Sequence, residues 1–138
     1  MLDLGLSFLG SVARDPNALA IVDGEVRLTY AQWYRRISSL IAGFDAIGLK
    51  AGDHLVTALQ NRWEAATLHW VCQFAGIVVT PVNWRSTASE IDFYLEDAEA
   101  KAIAFEDASG AAVTGSGLAQ QLPRLALDTA SASDIATT

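Results

Sequence analysis

The chain of 138 residues has one cysteine, one methionine, three prolines, and only nine lysines and arginines. A lone thiol, Cys72, cannot close an internal disulfide and fits a reducing compartment, so a cytoplasmic location is expected. Nine cations against 16 acidic residues, a net charge of -7, leave too little basic surface for nucleic acid or an anionic membrane. The start, Met1-Leu2-Asp3-Leu4, lacks a positive n-region, so no signal peptide is expected. There is no unbroken run of about 20 apolar residues either. The most apolar stretch, 65–82, contains His69, Gln73, Gly76 and Pro81 and changes period partway, so it reads as a buried helix followed by a buried strand.

Motifs for common chemistries are missing as well. The only lysines, Lys50 and Lys101, lie outside glycine-rich loops, so there is no P-loop. Gly115-Ser116-Gly117 starts a dinucleotide fingerprint but has Gln120 where the third glycine belongs, and reads as a flexible turn. No Gly-x-Ser-x-Gly elbow is present. His69 and Cys72 lie one turn apart without a second ligand pair, so they read as side chains packed in a buried helix rather than a zinc site. His54 is expected at the surface. Glu90, Asp92, Glu96, Asp97 and Glu99 read as a charged outer face rather than as acid–base groups.

What is present is a 51% hydrophobic, 18% charged composition, enough for one globular core. Leu6, Leu9 and Val12 suggest an opening amphipathic helix, broken by Asp15-Pro16-Asn17. Runs 18–22 and 26–29 around Asp23-Gly24 predict a β-hairpin with a type I′ turn. Three helices follow, with caps Thr29-x-x-Gln32, Asn61-x-x-Glu64 and Thr87-x-x-Glu90. The first has Leu28 placed to staple against Trp33, an apolar stripe of Trp33, Ile37, Leu40, Ile41 and Phe44, and a stop at Gly48. The second spans 62–75 and ends at Gly76; the third carries Ile91, Tyr94 and Leu95 on one face. Runs 55–59, 77–82, 102–105 and 125–127 suit buried strands. After Asp107 the composition turns to Ala, Ser, Thr and Gly, with a short helical turn at 118–122. The alternation predicts an α/β fold, an open and mainly parallel sheet flanked by helices and preceded by the hairpin.

In such a sheet, ligands bind beyond the carboxyl ends of the strands. Arg62 follows run 55–59 and Arg85 follows run 77–82, each at or just before a helix N-terminus, where free amides also favour anions. Spacing alone leaves two readings: anion recognition by the planar guanidinium, or pairing with a nearby carboxylate such as Glu64 or Glu90.

Leu28-Thr29-Tyr30-Ala31-Gln32, Gly48-Leu49-Lys50-Ala51-Gly52-Asp53, Asn61 with Glu64, Gly76, Pro81-Val82-Asn83-Trp84-Arg85, then Glu90, Tyr94, Leu95, Asp97 and Ala100-Lys101 occur in a fixed order. Over about 15–107 this order resembles the start of the AMP-forming acyl-CoA synthetases, in the adenylate-forming superfamily with luciferases and peptide-synthetase adenylation domains. Pro-x-Asn-x-Arg followed by Glu90 is closer to the acyl-CoA synthetase branch.

The resemblance implies that a carboxylic acid attacks the α-phosphate of ATP, assisted by Mg2+, to give an acyl-adenylate and pyrophosphate, and that coenzyme A (CoA) then displaces AMP. The family's phosphate loop ending Pro-Lys-Gly, its Tyr-Gly-x-Thr-Glu segment, its ribose-binding aspartate and its C-terminal lysine are absent from the sequence. The chain is therefore expected to be an N-terminal α/β subdomain over 1–128 with a flexible linker over 129–138. It is expected to be inactive alone, to hold no catalytic or metal-binding residue, and to bind none of these cofactors by itself; its partner would be the rest of the enzyme. Arg85 corresponds to an arginine that approaches the nucleotide phosphate of CoA in some family ligases. The competing reading is a stand-alone, non-catalytic interaction module. Surface left uncovered in a partial chain predicts a homodimer or larger species.

Overall fold

The computed structural model describes residues 3–127 and the backbone of 136–137. The chain divides into two units, Met1–Lys50 with Asn61–Gly76, and Ala51–Gln60 with Ile77–Thr138.

The first unit holds α1 (Leu4–Arg14), the hairpin strands β1 (Leu19–Asp23) and β2 (Val26–Thr29), α2 (Tyr30–Ala46) and α3 (Trp63–Ala75). α1 forms where expected but buries a different face. Gly5 and Phe8 are buried, whereas Leu6 is 67% exposed. Phe8 is drawn inward by aromatic rings, with centroids 5.3 Å from Trp33, 4.9 Å from Trp70 and 5.7 Å from Phe74, a larger payload than an aliphatic stripe offers. Beside it a side chain on Gly5 would crowd the Phe74 ring, at 3.2 Å from its Cβ.

Asp23 pairs with Val26, so the two turn residues are Gly24 and Glu25, one position later than expected. Only Gly24 takes a positive φ, 56°. That is the sign pattern of a type II′ turn, which needs glycine at the first central position. α2 opens on the expected capping box: Thr29 Oγ1 accepts the Gln32 N–H at 3.2 Å and Gln32 Oε1 accepts the Thr29 N–H at 2.8 Å. Trp33, Ile37 and Phe44 are buried from its stripe, and Gly48 follows the helix at φ 84°. The buried Trp33 indole donates to Thr67 Oγ1 at 2.8 Å, so its polar handle is satisfied. α3 ends at Gly76 in the left-handed conformation, as expected, but its N-cap is Arg62, not Asn61. The first helical amide, of Trp63, donates instead to Asp23 Oδ2 of the hairpin at 2.9 Å.

The second unit holds β3 (His54–Ala58), β4 (Val78–Pro81), α4 (Ala88–Asp97), β5 (Ala102–Phe105), α5 (Asp107–Gly115), a 3-10 turn at Ala119–Gln121, β6 (Arg124–Ala126) and the two-residue β7 (Ala136–Thr137). The sheet order is β4-β3-β5-β6-β7. The first four strands run parallel and β7 joins β6 antiparallel. β3 and β4 are therefore parallel neighbours in a common sheet, as the fold expectation required. Central β3 and β5 are buried along most of their length, which suits continuous apolar runs.

β4 is an edge strand, so the expectation of a buried run over 77–82 fails at Val78, which is 45% exposed. Val78 donates its N–H to the carbonyl of Asp53, just before β3, and Val82 donates to that of Thr57 within it. Pro81, with no N–H to give, thus falls in the outward register, where an edge tolerates it. α4 repeats the capping box through Thr87 and Glu90 and buries Ile91 and Leu95. These pack in one cluster with Val56, Ala58, Ala100, Ile103, Val113 and Ala119.

α5 (Asp107–Gly115) was not foreseen, because the Ala, Ser, Thr and Gly that follow Asp107 form no apolar stripe. Ser109 anchors it: buried, its hydroxyl donates to the Ala58 carbonyl at 2.7 Å and accepts the Glu106 N–H at 3.1 Å. Of the expected linker 129–138, residues 129–135 and 138 lie outside the described residues.

Candidate functional site

The carboxyl ends of β3, β4 and β5 lead into the residues a ligand would meet. In the second unit, Lys101 and Arg124 stand at the starts of strands. Arg85 is the one cation that follows a strand end, two residues before the Thr87 cap of α4. Pro81 fixes the end of β4, and the chain turns at once. Asn83 Oδ1 accepts the Arg85 N–H at 2.9 Å, and the buried Ser86 donates its hydroxyl to the Asn83 carbonyl at 2.6 Å. Arg85 is exposed, with its guanidinium carbon 4.5 Å from the centroid of the Trp84 ring. Glu90 is not its partner, because one Glu90 oxygen accepts the Thr87 N–H at 2.8 Å. No ion pair involving Arg85 occurs among the described residues.

Arg62 belongs to the first unit and resolves the other way. Its Nε and one terminal nitrogen meet the two oxygens of Glu64 at 2.8 Å and 3.0 Å. That bidentate pair, with Glu64 buried, occupies the fork that an anion would need. The two arginines, equal by spacing, are therefore not equal in the structure.

The same sheet edge holds a carboxylate that the sequence did not single out. Glu106, directly after β5, is buried and accepts the backbone N–H of Gln60, two residues past the end of β3. With Ser109 it ties two neighbouring strand ends together. The signal for it was an acidic residue at the end of an apolar strand, three positions before a serine.

Asp92 is the exception in the acidic run. Its Oδ1 accepts the Ser116 hydroxyl at 2.5 Å and the Leu118 N–H at 3.1 Å. These two bonds, the hydroxyl's first, hold its carboxyl below the usual carboxylate range. Ser116, fully buried, also accepts the Ala119 N–H at 3.0 Å, so the Gly115-Ser116-Gly117 turn is pinned at its centre. Glu96, Asp97 and Glu99 are exposed as expected.

His69 and Cys72 separate. Cys72 is buried, which pushes its thiol up to about 12, while His69 is exposed with its ring edge-on to Trp70. Helix spacing alone had put both inside. His54 is half-buried rather than at the surface, with Nδ1 buried and unpaired. Among the described residues no three His, Cys, Asp or Glu side chains gather in a way that could hold a metal ion.

Known proteins resemble this chain in sequence and architecture. Protein Y of Streptomyces griseus is 33% identical over 121 residues, covering 86% of this chain and 39% of its own. A feruloyl-CoA synthase from Amycolatopsis is 32% identical over 117 residues, covering 83% of this chain and 24% of its own. The N-terminal domain of FACL13 from Mycobacterium tuberculosis aligns with a TM-score of 0.78 at 26% identity, over 83% of this chain and 30% of that one. The chain thus spans well under half the length of these relatives. A match to the AMP-binding enzyme family runs over residues 8–136, nearly the whole sequence. The chain belongs to the AMP-binding enzyme family, the superfamily that its ordered motifs resemble.

Proposed function

We propose that this chain is the opening part of an AMP-forming acyl-CoA ligase, which joins a small-molecule carboxylic acid to CoA at the expense of ATP. The observation that carries the reading is the family match over 8–136, supported by relatives whose names describe CoA synthases and ligases of feruloyl, salicylyl and fatty acyl groups. In this reading 1–128 is the α/β part and 129–138 leads onward, and the rest of the enzyme is its partner. The location is cytoplasmic, and among the described residues no helix is long and apolar enough to cross a membrane.

ATP and Mg2+ find no fit among the described residues, which offer neither a phosphate loop nor a metal-binding carboxylate cluster. The nucleotide phosphate of CoA does fit Arg85. That guanidinium is exposed, free of carboxylates among the described residues, and held at the carboxyl edge of a parallel sheet by the 83–86 turn. When bound, CoA supplies the thiol that receives the acyl group. Arg85 would hold its far end and orient it, through charge and a two-pronged hydrogen bond.

The test is product analysis. An enzyme containing this segment, given carboxylic acids, ATP, Mg2+ and CoA, is expected to release AMP with the thioester, and release of ADP would overturn the reading. The 138 residues alone are expected not to exchange pyrophosphate into ATP.

A further inference from the structure

Trp84 is not among the buried residues of the core. It is half-buried, lying between Asn83, which caps the turn, and Arg85, whose guanidinium carbon is 4.5 Å from its ring centroid. That distance lies within reach of an aromatic quadrupole acting on a cation. The backbone on either side is fixed, by Asn83 Oδ1 on the Arg85 N–H and by the buried Ser86 on the Asn83 carbonyl. A guanidinium stacked by its face keeps its N–H donors in the plane of the fork, where phosphate oxygens approach. Stacking also narrows the rotamers of a long side chain before any ligand arrives, which lowers the ordering cost of binding.

We propose that Trp84 is a positioning residue: its indole face holds the Arg85 guanidinium with the fork open to a nucleotide phosphate monoester. The inference rests on the reading of Arg85 given above and adds how that arginine is presented. Trp84 acts through Arg85 and makes no contact of its own with the phosphate.

Calorimetric titration of an enzyme containing this segment with CoA, and with 3′-dephospho-CoA as the probe lacking the 3′-phosphate, tests this. The unaltered enzyme is expected to prefer CoA, and R85A to lose that preference. W84L is expected to weaken CoA binding about threefold to fivefold, the worth of an exposed cation–π contact. Affinity should rank Trp above Tyr above Phe at position 84, a series that remains decisive if W84L does not fold. In R85A, adding W84L should cost nothing further, as residues acting through one contact require. Equal affinity across the aromatic series, or a W84L loss that persists in R85A, would overturn the positioning role while leaving Arg85 intact. Unchanged CoA binding in R85A would overturn the Arg85 reading itself, and the role of Trp84 with it.

Discussion

Arg62 and Arg85 show what spacing can and cannot separate. Each follows a strand and precedes a helix, and each has acidic residues nearby. Glu64, two residues from Arg62, is free to close a bidentate pair, whereas Glu90 is committed to Thr87 by a capping box already visible in the sequence. That commitment was legible and favoured Arg85; the stacking on Trp84 was not, because ring orientation has no one-dimensional signature. Cys72 gives a prediction at this scale. With its thiol pushed up to about 12 by burial, it should resist thiol reagents at pH 8 in the native protein and react once denatured, as a titration with a chromogenic disulfide would read. The raised value also means that stability falls as pH rises from the ordinary thiol range, about 8.5, towards 12. Asp92 has the opposite sign. Its lowered value contributes stability above the ordinary carboxylate range that is lost on acidification, so D92N should flatten the decline in Tm below about pH 4.

Elements with two independent signals were predicted well. α2 and α4 had both a reciprocal cap and an apolar stripe. α1 had a stripe alone, and the aromatic contacts of Phe8 overrode it. α3 had its start misassigned because the cap comes from 40 residues away, a partner that local patterns cannot supply. Asp23→Ala should therefore destabilise by about 1 kcal/mol, the usual worth of a lost cap, while Asn61→Ala should stay within about 0.5 kcal/mol. Urea melts of the two variants would read the difference. α5 has little helix propensity and depends on Ser109. Ser109→Ala leaves the Ala58 carbonyl and the Glu106 N–H without this hydroxyl, and should cost about 1–3 kcal/mol. A Ser109→Ala midpoint equal to that of the parent chain would show that α5 is held by other means.

At the scale of the whole molecule, charge is unevenly divided. Arg14, Arg27, Arg35, Arg36, Lys50 and Arg62 balance the six acidic residues of the first unit, so the excess of acid lies entirely in the second. Apolar exposure falls mostly on the first, where Leu6 is 67% and Val22 57% exposed. Self-association is expected through such surface. Light scattering should show species heavier than a monomer, and Leu6→Glu with Val22→Glu should return them to one; a monomer at all concentrations would refute it.

The division of the chain at residues 50, 60 and 76 has a consequence for synthesis. Strand β3 emerges from the ribosome early and must wait for β4 and β5, its partners on either side, while the first unit lacks its last helix until residue 75 has been made. Neither half can be excised by one cut, and a nick anywhere between 51 and 76 severs both. Whatever folds first here does so with part of the other unit threaded through its own sequence.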